Sequence, residues 1–458
     1  MAKKRKINAE SIISEAERNL TIRDVWNAGS AEKLTFFIMG LNQLKHKQFA
    51  KGAMFLALEV AFLGWLIFSG ISALSLMTTL GPNKEMTTGL DKDGIPVTIQ
   101  PDNSVIILLW GVLAFLIIAA FIVLFIQNYK SNKHLVYLKQ TGQHVPTNKE
   151  ELASLLDSNL HKTLMAVPLL GVFLFTILPT LYMITMAFTN YNKEHAIAFS
   201  WTGFTSFGQI LSGNLAGTFF PVLIWTLIWA VLATVTTFLG GVLLAMLIES
   251  KGIKGKGMWR TIFVIVFAVP QFVTLLLMAQ FLNTQGALNN LLMDWHIISE
   301  PIKFISTDSN AWVSRATVIV VNMWIGIPVS MLTSTAIIQN LPQDQIEAAR
   351  IDGANSFKIF KSITFPQILF VMTPALIQQF IGNINNFNVI YLLTGGWPMN
   401  ANYNSAGETD LLVTWLYKLV FGQTQQYNVA AALGILIFIV NASISLVAYR
   451  RTNAFKEG

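Results

Sequence analysis

Cysteine is absent from this sequence of 458 residues, and charge is scarce, because only 12% of the residues are Asp, Glu, Lys or Arg. Without cysteine the chain can form neither a disulfide framework nor a thiolate metal site. Its six histidines lie in predicted loops or at the edges of apolar runs, and HExxH and GxSxG patterns do not occur. The G-x-x-x-x-G-K-[ST] phosphate loop is also missing. We therefore predict no catalytic residue, no metal site and no cofactor in this chain.

Apolar residues are abundant: they make up 53% of the chain, and the mean hydropathy is +0.54. Eight apolar runs, each long enough to cross a bilayer, fall near residues 52–77, 104–127, 163–189, 219–248, 259–283, 313–338, 367–393 and 429–449. They predict an all-α, polytopic membrane protein with about eight transmembrane helices. The net charge of +7 does not indicate a nucleic-acid partner, because the basic residues flank the apolar runs, where they orient helices.

Positive charge also predicts the orientation in the membrane. With the amino terminus inside, the segments assigned to the cytoplasm hold 25 of the 31 Lys and Arg residues, so both termini are expected in the cytoplasm. We expect the protein in a bacterial cytoplasmic membrane. Four parts follow: an N-terminal cytoplasmic or interfacial segment (1–51), two peripheral transmembrane helices (52–127), a cytoplasmic connector (128–162) and a transmembrane core (163–458).

Some polar residues and prolines stand out in or beside the membrane. In the N-terminal segment, the apolar patch 34–41 precedes several lysines, which predicts an interfacial helix on anionic lipid. Glu59, in the first run, is expected to pair near the inner surface rather than to act in transport. Prolines inside runs predict kinks, which either shape a cavity or serve packing alone: Pro168, Pro179, Pro270, Pro328 and Pro374.

A polar insert, residues 339–366, separates two of the apolar runs. Pro342 suits the first turn of a helix, Ile346 and Ala349 continue it at helical spacing, and Gly353 permits a sharp turn before a second short helix. Such a protrusion between two spans would pack either on lipid headgroups or on a soluble partner.

This insert resembles the EAA loop of ABC importer membrane subunits, through Glu347, Ala348, Ala349, Gly353, Ile363 and Pro366. The resemblance implies a six-helix type I importer core in which these residues couple the chain to a cytoplasmic ATPase. It further implies a second homologous permease subunit, two copies of the ATPase, which would bind ATP and Mg, and an extracytoplasmic sugar-binding protein. Membrane lipid is the remaining expected partner.

The seventh apolar run contains five amides within about three helical turns: Gln379, Asn383, Asn385, Asn386 and Asn388. Polar groups in hydrocarbon need partners, so these amides either join helices or line a polar cavity. On a continuous helix Gln379, Asn383 and Asn386 share one face, whereas Asn385 and Asn388 point elsewhere. Neutral amides with neighbouring aromatics (Phe380, Phe387 and Tyr391) suit an uncharged, hydroxyl-rich solute.

Together with NMWIGIP in the sixth run, the stretch FIGNINNF resembles the larger membrane subunit of maltose and maltodextrin importers. The resemblance implies that this chain moves maltodextrin-type oligosaccharides. It also implies the sugar-contacting residues Asn322, Ile325, Gly326, Gln379, Gly382, Asn383 and Asn386. A further position, where relatives carry an aromatic, is Val329. Two alternatives stay open: a permease for another neutral oligosaccharide, and an ion-coupled secondary sugar carrier, which would need intramembrane carboxylates or histidines.

The predicted orientation can be tested with protease added outside intact cells. Tags on either terminus should be protected, whereas cleavage sites inserted near Asp91 or Tyr403 should be cut. A clipped terminal tag beside an intact Asp91 site would mean that the orientation is inverted.

Overall fold

The computed structural model describes residues 17, 19–90, 92–250 and 252–451. Residues 1–16 of the predicted N-terminal segment, Asp91 and the C-terminal residues 452–458 lie outside this part. Seven of the described helices are long and apolar enough to cross a membrane, and a bent pair gives an eighth. We number them as spans 1 to 8: Phe49–Thr79, Ser104–Gln140, Leu160–Met186, Ala216–Glu249, the pair Lys256–Ala268 and Gln271–Phe281, Ala311–Gln339, Ser356–Ile384 and Tyr427–Arg450. The predicted all-α fold with about eight spans is confirmed.

Shorter elements connect the spans. The short helices are Ile22–Asn27, Ser30–Leu34, Leu41–Lys45, Asn148–Ser154, Thr205–Leu211, Ala287–Asp294, Gln343–Ile351, Phe387–Leu393 and Leu412–Phe421. Single π-helical turns lie inside spans 1, 3 and 7, at Leu66–Gly70, Phe173–Ile177 and Phe360–Thr364. Strands Thr87–Leu90 and Pro96–Ile99 form an antiparallel hairpin between spans 1 and 2, with Thr87 opposite Ile99. The chain thus crosses between these two spans with a hairpin rather than a folded domain.

Two compact units divide the chain. The first unit comprises Met1–Thr185 and His195–Trp201, and the second comprises Met186–Glu194 and Thr202–Gly458. Spans 1 and 2 and nearly all of span 3 belong to the first unit, whereas spans 4 to 8 belong to the second. The helix of span 2 continues to Gln140, into the predicted connector. The four-part division with its boundaries at 51, 127 and 162 stays a prediction.

In the first unit, the N-terminal segment is fastened to spans 1 and 2 by hydrogen bonds. The Glu59 carboxylate accepts from the backbone N–H of Met39 at 2.7 Å, and the Asn128 side chain accepts from the N–H of Gly40 at 3.1 Å. Asn42 donates its amide to Asn132 at 2.7 Å. Because Glu59 is occupied in this way, its burial is explained by tertiary structure, in keeping with the predicted pairing role.

The predicted interfacial helix over 34–41 is wrong. Helix Ser30–Leu34 ends there, a turn follows, and a new helix begins at Leu41. Gly40 has a φ of +83°, a conformation that α-helices do not contain, and a Cβ at Gly40 would collide with the backbone of Gly52. The local structure is therefore determined by the close approach of this turn to span 1 and not by the helical pattern of the sequence.

In the second unit, spans 4 and 6 pack closely because small residues face each other. Gly241 lies against the side chain of Ser330 and the backbone of Met331, and a Cβ on Gly326 would stand 2.6 Å from Cγ2 of Thr237. Spans in lipid gain little from the hydrophobic effect, so such close backbone approach supplies much of their packing energy. This contact holds spans 4 and 6 together beside the polar residues of the unit.

Two spans of the second unit are broken. The halves of span 5 bend by 89° at Pro270, and Val269 before it is extended (φ −83°, ψ 129°), as steric contact with a following proline favours. The predicted continuous helix over 367–393 is also wrong, because it ends at Ile384 and restarts at Phe387. Asn386 caps the second piece by accepting a hydrogen bond from the N–H of Val389 at 3.3 Å.

Gly241→Ala should destabilise the second unit by about 1–3 kcal/mol, because the added methyl meets backbone and side-chain atoms that belong to another span. Gly217→Ala is the matched control, since it changes the same helix at a position where a Cβ has open space. Unfolding of the purified protein in detergent would measure both. Equal stabilities of the two variants would show that spans 4 and 6 are not in tight contact.

Candidate functional site

A cavity of about 640 Å³ lies in the second unit between spans 4, 5, 6 and 7. Its lining residues are Thr237 of span 4; Val266, Phe267, Val269, Pro270, Gln271 and Thr274 of span 5; Asn322, Ile325, Gly326, Val329, Ser330 and Thr333 of span 6; and Met372, Ala375, Gln378, Gln379, Asn383 and Asn386 from span 7 and the break after it. The bend at Pro270 and the end of span 7 both border this space. The helix breaks therefore shape a cavity.

Most residues expected to contact a solute meet at this cavity. Asn322, Ile325 and Gly326 line it from span 6 and Gln379, Asn383 and Asn386 from the opposite wall, whereas Gly382 is exposed outside the lining. Val329, the position noted for a missing aromatic, also lines it.

The amides of span 7 also join helices. Gln379 donates to the Thr237 hydroxyl at 2.9 Å, and Asn383, which is 7% exposed, donates to the Thr234 hydroxyl at 3.0 Å. Asn386 in turn donates to the side-chain oxygen of Asn383 at 3.4 Å. Gln379 keeps its side-chain oxygen without a partner within the described part of the chain. The two interpretations of these amides are therefore compatible: the same side chains bind span 4 and border the cavity.

Asn322 differs from the hydrogen-bonded amides of span 7. It is 8% exposed and lines the cavity from span 6, yet its side chain makes no hydrogen bond to any residue that the structure describes. Gln271 and Gln378, which are exposed, also line the cavity without a partner in the described part of the chain. Asn322 is thus the buried one among three cavity amides that can bind a solute or water.

Asn385 lies away from the cavity. Its side chain is exposed and donates to the carbonyl of Ile381 at 3.4 Å. Helical periodicity also predicted that Asn385 lies on a different face from Gln379 and Asn383. In the structure Asn385 lies apart for another reason, because the helix ends here and Asn385 occupies its C-terminal cap. Asn388 likewise has an exposed side chain, on the short helix Phe387–Leu393.

Several lining residues did not enter the sequence prediction. Thr237, Ser330 and Thr333 escape notice because hydroxyls within spans usually bond to their own helix. Gln271 and Thr274 lie one and four positions after Pro270, so polar residues in the first turn after an intramembrane proline are a signal that could have identified them. The aromatic lining residue is Phe267, whereas Phe380, Phe387 and Tyr391, the expected stacking residues, are outside the lining. Phe387 and Tyr391 instead stack on each other, with ring centroids 4.8 Å apart.

The chemistry of the cavity wall is neutral. Amides and hydroxyls supply its polar groups, and none of the described lining residues is Asp, Glu, Lys, Arg or His. Amides donate and accept hydrogen bonds, as do hydroxyls, so the wall matches a solute whose polar groups do both. One wall is apolar, formed by Val266, Phe267, Val269 and Pro270. Such a surface can bind an uncharged solute with hydroxyl edges and a carbon-rich face.

A second exposed feature is the polar insert between spans 6 and 7. Helix Gln343–Ile351 contains Glu347, Ala348 and Ala349, and Gly353 follows with a φ of +77°. Asn355 then caps the start of span 7 by accepting from the N–H of Lys358 at 2.8 Å. The predicted helix, glycine turn and second helix are all present. Further on, Ile363 lies in the π-helical turn of span 7 and Pro366 at the start of its main helix.

Apolar side chains protrude from this insert. Ile351 is 87% exposed and Phe357 is 70% exposed, although both flank a turn that is otherwise polar. Large exposed apolar side chains beside polar ones are typical of a surface that another protein covers.

Comparisons with known proteins agree with this architecture. Residues 237–453 match the family described as "Binding-protein-dependent transport system inner membrane component". The galactooligosaccharides transport system permease protein GanP of Bacillus subtilis (strain 168) is 35% identical over 440 residues, which cover 93% of this chain and 98% of GanP. The maltodextrin transport system permease protein MalC of Streptococcus pneumoniae serotype 4 is 32% identical over 437 residues, which cover 93% of this chain and 96% of MalC.

Among solved structures, the bacterial alginate ABC transporter in complex with alginate pentasaccharide-bound periplasmic protein contains a similar chain. The TM-score is 0.53 at 23% identity, and the match covers 66% of this chain and 97% of that one. At this identity the likeness shows a shared fold.

Proposed function

Because the chain belongs to the family of binding-protein-dependent transport system inner membrane components, as a permease of an ABC sugar importer, we propose that it moves maltodextrin-type oligosaccharides across the membrane. The choice of a neutral sugar rests on the cavity between spans 4 to 7. Its wall combines amides and hydroxyls with an apolar face. Sugar hydroxyls both donate and accept hydrogen bonds, and sugar rings present carbon-rich faces.

In this proposal Asn322 forms the first hydrogen bond to the sugar, because its amide is free of protein partners in the described chain. Gln379 offers its unpaired side-chain oxygen from the opposite wall, and Asn383 and Asn386 extend the polar surface beside it. Ile325 and Gly326 line the cavity beside Asn322 and would contact the sugar ring. We retain Gly382 only as an accessory position, since it is outside the lining.

Another neutral oligosaccharide is the second candidate, and a specific observation favours it: a relative with 35% identity over nearly the full chain is named for galactooligosaccharides. Val329 has no aromatic or hydroxyl group with which to select a particular ring stereochemistry. An ion-coupled carrier has less support. Its coupling carboxylate would have to be Glu59, which already accepts a backbone hydrogen bond from Met39.

A second permease subunit is part of the proposal. In the most apolar 18-residue stretch of span 3, none of the residues is buried within this chain, and Phe175 is 82% exposed. An apolar surface that stays this exposed on a span is available to another protein, so it suits a homologous partner. Spans from two such subunits would enclose the solute path between them.

The energy source would be two copies of a cytoplasmic ATPase, which bind ATP and Mg. Glu347, Ala348, Ala349 and Gly353 would lie in the ATPase groove, with Ile351 and Phe357 as exposed apolar anchors and Ile363 and Pro366 linking the insert to span 7. Closure of the ATPases would move this helix and, through it, span 7. The cavity would then alternate between the two sides of the membrane.

Delivery from outside would depend on an extracytoplasmic sugar-binding protein. The segments 190–218, 284–312 and 394–428 are the proposed contacts, and both termini would be cytoplasmic. The last of these segments is rigidly built: Arg315 pairs with Glu408 at 2.8 Å, and Lys418 pairs with the buried Asp410 at 2.6 Å. Arg315 thus holds this segment to span 6.

Asn322→Leu should raise the sugar concentration needed for half-maximal uptake by roughly five- to 150-fold, since a sugar hydroxyl loses a partner at about 1–3 kcal/mol. Uptake would be measured in vesicles that contain the assembled complex, with the binding protein saturating. Asn383→Leu should also lower stability, because Thr234 loses its partner. Asn385→Leu, outside the cavity, is the matched control and should leave sugar dependence unchanged.

Unchanged sugar dependence in Asn322→Leu, with a changed dependence in Asn385→Leu, would rule out this cavity as the sugar site. Maltotriose and a galactooligosaccharide, offered separately to the external binding protein, would decide between the two sugar classes. Preference for the galactooligosaccharide would replace the first candidate by the second.

Glu347→Lys should abolish coupled uptake while leaving the protein inserted, because the acid accepts hydrogen bonds or an ion pair from the ATPase in this proposal. Asp352→Lys makes the same charge change in the same insert, outside the motif, and should have a smaller effect. Uptake and ATP hydrolysis by reconstituted complexes would be compared. Normal uptake by Glu347→Lys would exclude the proposed coupling role.

A further inference from the structure

A second cleft, of about 530 Å³, lies within the first unit where spans 1, 2 and 3 share one end. Lys51 is in the first turn of span 1, Lys130 is in the last third of span 2, and Lys162 is in the first turn of span 3. Because consecutive spans run in alternating directions, these three positions belong to the same side of the membrane. The cleft is therefore at headgroup depth.

The charge of the cleft is positive. Three lysines line it, and Glu151 is its acidic lining residue. Both carboxylate oxygens of Glu151 lie 3.2 Å from the ammonium of Lys51, so this pair is internally balanced. Lys162 donates to the neutral amide of Asn159 at 2.7 Å, and Lys130 has no ion-pair or hydrogen-bond partner in the described chain. Two positive charges thus remain for a ligand.

A buried hydroxyl and an apolar shelf complete the cleft. Ser131 lines it, and its hydroxyl oxygen is inaccessible to water and has no partner within the described residues. The shelf is formed by Met54, which is 50% exposed, and by Leu152 and Leu155, at 48% and 43%. An amphipathic ligand would therefore find both cations and exposed apolar side chains in the cleft.

We propose that this cleft is a binding site for an anionic glycerophospholipid, whose phosphate lies between Lys130 and Lys162 and whose acyl chains cover the shelf. Basic pockets between transmembrane helices are suited to anionic headgroups, and each lysine near the surface adds to the attraction. Free phosphate would satisfy the lysines but leave Met54, Leu152 and Leu155 in contact with water. A lipid offers a phosphate to the lysines and acyl chains to the shelf, and lipid is present wherever the spans are.

The consequence is that an anionic lipid would tie together span 1, span 2 and the helix Asn148–Ser154, which carries Glu151 and Leu152. Thr147 starts this helix with reciprocal hydrogen bonds to Glu150, at 3.4 Å and 2.7 Å, so the shelf is held in place before a lipid arrives. A preformed shelf lowers the ordering cost of binding.

The test uses the purified full chain in phosphatidylcholine nanodiscs, titrated with phosphatidylglycerol and followed by native mass spectrometry. The wild type should retain phosphatidylglycerol in preference to phosphatidylcholine. The paired change Lys130→Gln with Lys162→Gln should weaken this preference by about tenfold to thirtyfold, from about 1 kcal/mol for each lysine. The paired change Lys149→Gln with Lys254→Gln alters the same total charge at exposed lysines outside the cleft and should keep the preference.

Two results would overturn the proposal: an unchanged preference in the Lys130 and Lys162 pair, or an equal loss in the control pair. Displacement of phosphatidylglycerol by millimolar inorganic phosphate would assign the site to free phosphate instead. Thermal unfolding in pure phosphatidylcholine checks folding of each variant. Should the glutamine pair not fold, Ser154→Glu places a negative charge in the cleft while keeping every lysine, and it should reduce phosphatidylglycerol retention alone.

Discussion

Hydrocarbon cannot satisfy a polar group, so every amide and hydroxyl at membrane depth must find a partner in the protein, in a cavity or in a solute. In the second unit this constraint is met by a small set of contacts between spans 4 and 7. Gln379 and Asn383 reach Thr237 and Thr234, and the indole of Trp229 donates to the backbone carbonyl of Asn383 at 3.1 Å. These bonds hold the end of span 7 in place, and the cavity is the space left beside them.

The same constraint explains where the helices are allowed to break. Broken backbone in a membrane is tolerated where it borders a cavity or is buried in protein. Pro270 and Val269 line the cavity at the bend of span 5, and Asn386 lines it at the interruption after span 7. Asn386 serves both needs, because its side chain accepts from the N–H of Val389 while its amide group borders the cavity. Asn386 thus contributes both to the local structure and to the cavity wall.

In the first unit, polar side chains have a different task. Asn128, Asn132 and Glu59 bind the backbone or side chains of the N-terminal segment, and the buried Glu32 lies between Lys45 and Lys139, at 3.6 Å and 3.4 Å. Through these contacts the polar groups near one end of spans 1 and 2 bind the N-terminal segment of the same unit. The cleft of this unit is lined by lysines, whereas the cavity of the second unit is lined by uncharged residues.

Length and hydropathy by themselves determined the all-α membrane fold and about eight spans, because an apolar run of some twenty residues has few stable alternatives in a bilayer. Local motifs likewise determined the helix, turn and helix around Gly353, where proline and glycine act on their nearest neighbours. The amides of the seventh run pointed to Gln379, Asn383 and Asn386, since polar residues in spans are rare and need a reason. Asn322 is a residue that only the family resemblance implies.

Only the tertiary structure decided what each of those residues touches. Whether Asn383 binds Thr234 and whether Asn322 stays free depend on how several spans pack together. The close contacts of Gly326 with Thr237 and of Gly241 with Ser330, between residues more than eighty positions apart in sequence, are part of that packing. The turn at Gly40 and the break at Asn385 both overrode a helical pattern, because close approach to Gly52 and capping of a new helix outweigh local periodicity. A periodic pattern reports only the preferences of one helix, whereas cavities and clefts arise from the packing of several.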